Sequence, residues 1–287
     1  MAAETPLAPR GARALARAEM IRQIVETARA HLATDGAAGL SLRAVARDLG
    51  MVSSAVYRYV PSRDDLLTVL ITQAYDALGE AAEQAESLVA RDDLPGRFRS
   101  VARAVRRWAF AHEHEFALIF GSPVPGYRAP DTTIPPATRV PALLISIIQD
   151  AVATGRVPPT LPPPPAAVLA AIAPARAAFD IPGAAVPPEL VVRGLMAWTY
   201  LFGAVSFDLF GHRHNVLADE RAVDGAFFEL EVDRLIDLVG LSDVASAARA
   251  AVPPAAAADV SVAPAEPQPP VVAQAGAPVT VVEGRAW

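Results

Sequence analysis

The chain has 287 residues, 53% of them hydrophobic and 20% charged, with 27 prolines, no cysteine and a formal net charge of −6. That length suffices for one or two domains with a sizeable core, and a tail. The lack of cysteine excludes disulfides and thiolate metal sites.

Alanine is abundant wherever the sequence has a helical rhythm, and alternating runs of Val, Ile and Thr are missing, which predicts an all-α protein. Arg, Asp, Glu or Pro interrupts each apolar stretch before the roughly 18–20 residues of a membrane span. The first twenty residues lack the apolar core of a secretory signal, so a cytoplasmic protein with no membrane partner is expected. All 25 basic residues are Arg. Residues 1–63 carry a net charge of +4 and the remainder −10, so the positive end is the one suited to meet phosphate.

Residues 1–16 read as a flexible basic arm, and order is expected from Arg17. Ile21, Ile24, Val25, Ala28 and Leu32 recur at spacings of three and four, the stripe of an amphipathic helix that Asp35-Gly36 and Gly39 end. A short second helix follows, with Ser41 as N-cap, Leu42, Val45 and Leu49 inward and Gly50 as its stop. A third runs from about Ser53 to Tyr59 and ends before Pro61, which restricts Val60. Ser62 then caps a longer fourth helix, with Asp64 and Asp65 in its first turn and Leu66, Leu67, Leu70, Ile71, Ala74 and Leu78 as its apolar stripe.

Further helices are expected at about 95–119, 137–154, 165–178, 187–210 and 219–239. Proline-rich connections separate them at 121–136 and 157–165. Residues 242–287, rich in Ala, Pro and Val, read as a disordered tail.

Two short helices joined at a glycine and packed under a preceding amphipathic helix form a helix-turn-helix, whose second helix enters the major groove of DNA. Residues 41–60, SLRAVARDLGMVSSAVYRYV, suit that role. Val45, Ala46, Leu49, Val56 and the Tyr57 ring can fill a small core, which leaves Ser53, Ser54, Ala55 and Arg58 outward. Small residues let the backbone approach the bases, Ser hydroxyls reach base edges or phosphates, and Arg58 makes a longer contact. The Tyr57 and Tyr59 hydroxyls suit phosphate, Arg63 adds charge at the rim, and Ser41 and Arg43 open the second helix, where free N–H groups favour an anion.

These residues resemble the TetR family of bacterial repressors over about residues 18–78: S-x-R-x-V-A at 41–46, L-G at 49–50, and V-Y-R-Y-V-P-S-R-D-D-L-L at 56–67. The resemblance implies that Tyr57, Tyr59 and Arg63 touch the DNA backbone. Val52 departs from the Ser or Thr that usually caps the recognition helix, and Val60 from the usual Phe. WTYLFGAVSFDLFGH at 198–212, preceded by GSPVPGY at 121–127, resembles a TetR C-terminal subclass named for a Trp-His-Gly signature, with Phe202 in place of its His.

By this resemblance the fold is an N-terminal helix-turn-helix DNA-binding domain at 17–78 and a larger helical ligand-binding and dimerisation domain at 79–241. The function implied is that of a ligand-responsive repressor, binding a palindromic operator in double-stranded DNA as a homodimer. The dimer is expected through about 187–239, with Leu190, Leu195, Trp198, Leu201, Val205 and Leu209 on one helix and Phe227, Phe228, Leu230, Leu235 and Leu238 on the other, the alternative being that these residues form the core of a single subunit.

A small-molecule effector pocket needs mostly apolar walls. Trp108, His112, Phe116, Phe120 and Tyr127, facing Trp198, Phe202 and Phe207, are the candidates, each also readable as ordinary aromatic core. His112 and His114, two apart, point to different sides of a helix, so no metal is expected there, and no cofactor is expected. An enzyme lacks support because no nucleophile elbow, phosphate loop, dinucleotide fingerprint or metal constellation is present. A helical adaptor that binds protein through the Pro-rich tail is the other alternative.

Overall fold

In the computed structural model, the structure describes residues 9–156, 163–178, 186–214, 216–217 and 225–242, which are helical and contain no strand. Helix α1 (Pro9–Gly39) kinks at Gly36, whose backbone is left-handed (φ 67°), so the glycine does interrupt the helix there. The expected flexible arm is corrected over residues 9–16, which are already helical. Pro9 is preorganised for a first helical turn and the Ala, Arg and Leu that follow are strong helix formers, so propensity extends the helix beyond its buried stripe. The rest of the proposed arm, residues 1–8, and the proposed tail from 243 onward lie outside the described residues.

Helices α2 (Leu42–Asp48) and α3 (Ser53–Tyr57) are short, and Gly50, with φ 65°, turns the chain between them. They pack with α1 around Ile24, Val25, Ala28, Leu32, Val45, Ala46, Val56 and Val60, all buried. Val60 closes this core although it is smaller than the Phe of the motif.

Helix α4 (Arg63–Ser87) opens at Ser62, whose hydroxyl accepts from the Asp65 backbone N–H at 3.0 Å. Asp64 and Asp65 occupy its first turn, where the helix dipole favours negative charge. Leu66, Leu67, Leu70 and Ile71 belong to the small core, whereas Ala74, Leu78 and Ala82 belong to a second, larger one. One helix thus joins the two cores, and residue 78 lies in its interior.

The larger core is built by α5 (Leu94–Ala111), α8 (Arg139–Ala153), α11 (Pro188–Leu209) and α12 (Ala226–Leu238) around α4. Helix α6 (Glu113–Phe120), a 3-10 turn at Asp131–Thr133, the short α7 (Ile134–Ala137) and the pieces α9 (Ala166–Ala171) and α10 (Ala173–Ala178) complete the described set. The single helix expected at 95–119 is two. His112 leaves the helical region (φ −135°, ψ 51°), its ring stacks on Trp108, and α6 starts from its carbonyl. Prolines 135 and 136 sit in the first turn of α7, where the missing N–H groups cost nothing.

Ion pairs lock this assembly. Arg99, Arg103 and Arg106, spaced four and three apart down one face of α5, bond to Asp233 and Glu229 of α12 and to Asp208 of α11. Arg97, fully buried, bonds to Glu86 at the end of α4 and to Asp150 of α8. Helix α11 is long and apolar enough to cross a bilayer by length and composition, with Arg193 and Asp208 interrupting its apolar run. Here it packs on α5, α8 and α12, and its Arg193 donates to the Leu238 carbonyl at 2.9 Å and pairs with Glu189.

Candidate nucleic-acid interface and apolar cavity

The exposed rim of the small core carries the helix-turn-helix. Val56 points inward from α3 and anchors it, which leaves Ser54 and Arg58 exposed and Ser53 and Ala55 half-buried on the outer face. Tyr57 is 41% exposed. The expectation that its ring fills the core is therefore corrected: Val56 and Val60 take that space, and the Tyr57 ring stands beside the outward serines. Tyr59 is half-buried against the core, with the Arg17 guanidinium 5.4 Å from its ring centre. Arg17 also donates to the Arg58 carbonyl, so α1 reaches the end of α3.

The recognition helix starts without a side-chain cap. Val52 occupies the N-cap position, 71% exposed, and Ala55 N–H turns back to its carbonyl at 2.9 Å. Ser41 likewise precedes α2 with an extended backbone and no side-chain cap bond, although its carbonyl accepts from Val45 N–H. Arg43 and Arg47 are exposed on α2. Arg47 and Arg17 are basic groups beside the motif that sequence reasoning passed over. The helical spacing of Arg43 and Arg47, four apart on a face that carries no core residue, was the available signal for the first.

Arg63, expected to meet the DNA backbone, is also bonded within the subunit. Its guanidinium donates to the carbonyls of Leu40 (3.1 Å), Ala37 (2.8 Å) and Ala38 (3.2 Å). It thus satisfies carbonyls at the end of α1 and ties that end to the start of α4. A second tie joins α1 to α2: His31 Nε2 lies 2.6 Å from Asp48 Oδ2, and the imidazole beside it holds the Asp48 carboxyl below its ordinary value.

Behind this unit, α4, α8 and α11 enclose a cavity of about 410 Å³. Of the eight pocket candidates, Phe120, Trp198 and Phe202 line it, joined by Tyr75, Phe98 and a wall of aliphatic side chains from α8 and α11. The other five are elsewhere. Trp108 and Phe116 are buried in the core, His112 is exposed on the Trp108 ring, and Phe207 is 54% exposed on the outer surface. Tyr127 packs on the small core, with its hydroxyl 2.9 Å from that of Thr68. The α5–α6 break at His112 puts Trp108 on one helix and Phe116 and Phe120 on the next, where one continuous helix was expected.

The cavity and the helix-turn-helix share α6. Phe120 contacts Phe202 in the cavity wall, with ring centres 4.5 Å apart, and meets Tyr75 edge-on. Two residues earlier, Leu118 is buried in the small core, and Ile119 packs on both cores and accepts the Tyr75 hydroxyl at 3.3 Å.

Helices α11 and α12 present apolar residues outward. Met196, Tyr200 and Phe207 form one stripe with Phe210 near its end, and Phe227 and Leu230 form another, all between 38% and 54% exposed. The expected dimer face is corrected in its residues. Leu190, Leu201, Val205, Phe228 and Leu235 are buried within the subunit, and Leu195 and Trp198 line the cavity. The next side of each helix faces out. Beneath this surface Glu231 is buried, receiving the Tyr200 hydroxyl at 2.9 Å and a two-pronged bond from Arg213.

A short, outward-facing second helix in a helix-turn-helix, with Arg58 at its end and Arg43 and Arg47 exposed on the helix before it, fused to a larger helical domain with an apolar cavity, defines a DNA-binding regulator. Residues 24–70 match the family described as bacterial regulatory proteins of the tetR family, and residues 98–235 match the tetracyclin repressor-like C-terminal domain. The chain is 40% identical over 227 residues to the HTH-type transcriptional regulator Rv1816 of Mycobacterium tuberculosis, covering 79% of this chain and 94% of that one, and equally to Mb1846 of Mycobacterium bovis. Among solved structures, the regulatory protein SCO4313 superposes with a TM-score of 0.61 at 34% identity, over 77% of this chain and 97% of its own. A Rhodococcus sp. RHA1 protein of unknown function shares the fold, with a TM-score of 0.54 at 22% identity over 77% of this chain and 93% of its own. The chain belongs to the TetR family of transcriptional regulators.

Proposed function

We propose that the protein is a repressor that binds a palindromic operator as a homodimer and leaves it when a small molecule fills the cavity. The observation that carries this reading is the position of α6, which puts Phe120 in the cavity wall and Leu118 in the core of the DNA-binding unit. An occupant that prefers one arrangement of Phe120 shifts α6, and with it the spacing of two recognition helices across a dimer. Such coupling requires differential affinity for two states.

On DNA, Ser53, Ser54, Ala55 and Arg58 read base edges, while Ser41, Arg43, Tyr57 and Tyr59 meet the backbone. Arg63 serves by holding the end of α1 against α4. The outward stripes on α11 and α12 supply the dimer contact, and Gly203, with open space around it between Tyr200 and Phe207, lets a partner helix come near. The protein acts by binding in the cytoplasm and performs no catalysis.

Duplex from upstream of the protein's own gene should be retained in a gel shift in preference to random duplex, with affinity falling steeply as salt rises. Equal retention of the two duplexes would overturn the proposal.

A further inference from the structure

We propose that the cavity between α4, α8 and α11 selects an electrically neutral organic molecule with few hydrogen-bonding groups, and rejects a carboxylate or ammonium compound built on the same carbon skeleton. The inference rests on the reading of this cavity as the effector site.

No charged side chain lines the cavity among the described residues. Of the arginines adjacent in sequence to its walls, Arg176, beside Ala175, is not among the lining residues, Arg99 bonds to Asp233, and three more are committed elsewhere. Arg139, between Thr138 and Val140, bonds to Asp76 and Glu83 on α4. Arg193, before Gly194, is held by Glu189 and the Leu238 carbonyl. Arg97, before Phe98, is taken by Glu86 and Asp150. None of these guanidiniums is available as a counter-ion.

The two hydroxyls in the lining are occupied as donors. Thr138 donates to the Pro135 carbonyl at 2.9 Å and Tyr75 to the Ile119 carbonyl at 3.3 Å. Burial pushes the Tyr75 phenol up, so it stays uncharged and can offer an occupant one weak hydrogen bond. Pro136 and Pro141 in the wall have no backbone N–H to give. An ion entering this space would lose its hydration and meet no counter-ion; the Trp198 indole N–H offers a carboxylate one hydrogen bond and the ring faces offer an ammonium a cation–π contact, each smaller than the desolvation penalty. A neutral apolar molecule gains from burial against Phe98, Phe120, Trp198 and Phe202. The volume of about 410 Å³ falls within the range that encloses drug-sized ligands.

Calorimetric titration of the full chain at neutral pH with naphthalenemethanol, naphthoate and naphthylmethylammonium compares three heads on one ring system. Naphthalenemethanol should bind at least about tenfold more tightly than either ion. Ile145→Trp, which fills the cavity from its half-buried wall, should abolish that binding, and Ile145→Arg, which adds the missing cation, should turn the preference toward naphthoate. The same binding order with operator affinity changed by less than about twofold at saturation would remove the effector reading and leave the selectivity standing. The proposal is overturned by an ionic probe that binds as well as the neutral one, by binding that survives Ile145→Trp, or by no binding of any probe.

Discussion

Arg58 and Arg63 lie five residues apart, and the structure separates their roles. Arg58 is exposed beside the outward serines of α3, where a guanidinium can bond two acceptors of a guanine. Arg58→Ala should cost about 1–3 kcal/mol of operator binding and relax preference at one base position, as measured by competition with single-base variants of the site. Arg63 donates through Nε and Nη2 to three carbonyls of the α1 end. Arg63→Ala should lower stability by about 2 kcal/mol, a fall of roughly 4–8 °C in Tm for a chain of this size; an unchanged melting curve would refute the clamp. The spacing that marked Arg63 as a rim charge was legible in the sequence, but its acceptors were not. They lie more than twenty residues away, and only the packing of α4 on α1 brings them within reach. Asp48 shows the same dependence on tertiary contact. His31 holds its carboxyl below the ordinary 3.8, so its contribution is in place above that value and is lost as pH falls through the lowered one. The Tm difference between the wild type and Asp48→Asn should therefore shrink as pH is taken below about 4.

Helix α3 is the least supported element of the DNA-binding unit, since it has five residues and a valine at its N-cap. A serine there can accept a backbone N–H of the first turn and remove an exposed apolar side chain. Val52→Ser should raise stability by about 1 kcal/mol in chemical denaturation, with the slope of the transition unchanged. Equal or lower stability would mean that the N–H groups of α3 are already satisfied. The existence of α1 to α4 was readable because apolar stripes, Gly50 and the Ser62 cap all point to the same boundaries. The break between α5 and α6 was not. AHEHEF keeps a helical rhythm through His112, and the interruption comes from the ring stacking on Trp108 and a backbone bend that no residue type demands. The missed bend separates Trp108 from Phe116 and Phe120, whereas on the continuous α11 Trp198 and Phe202 line the cavity and Phe207 does not.

Across the whole molecule, periodicity located α11 and α12 but not which side of each faces inward. On α11 both sides carry large apolar residues, and contacts from α5, α8 and α12 decide between them. Because Phe207 is 54% exposed in the subunit, Phe207→Glu should leave its fold intact while weakening self-association at least about tenfold. Sedimentation would register a shift toward monomer, and operator affinity should fall with it. A variant that sediments as the wild type does would place the dimer contact elsewhere.

Leu118 and Ile119 carry a lesson for protein engineering. Regulators with interchangeable parts are assembled by grafting one DNA-reading head onto another sensing body, with the cut made where the sequence motif ends. In this chain a cut after residue 78 would leave Leu118, Ile119, Val124 and Tyr127 facing a foreign surface, and under the coupling proposed above the hybrid should lose its response. A working hybrid should carry the native α6 and the loop to Tyr127 together with residues 9–78, or else redesign those four side chains to suit the new head.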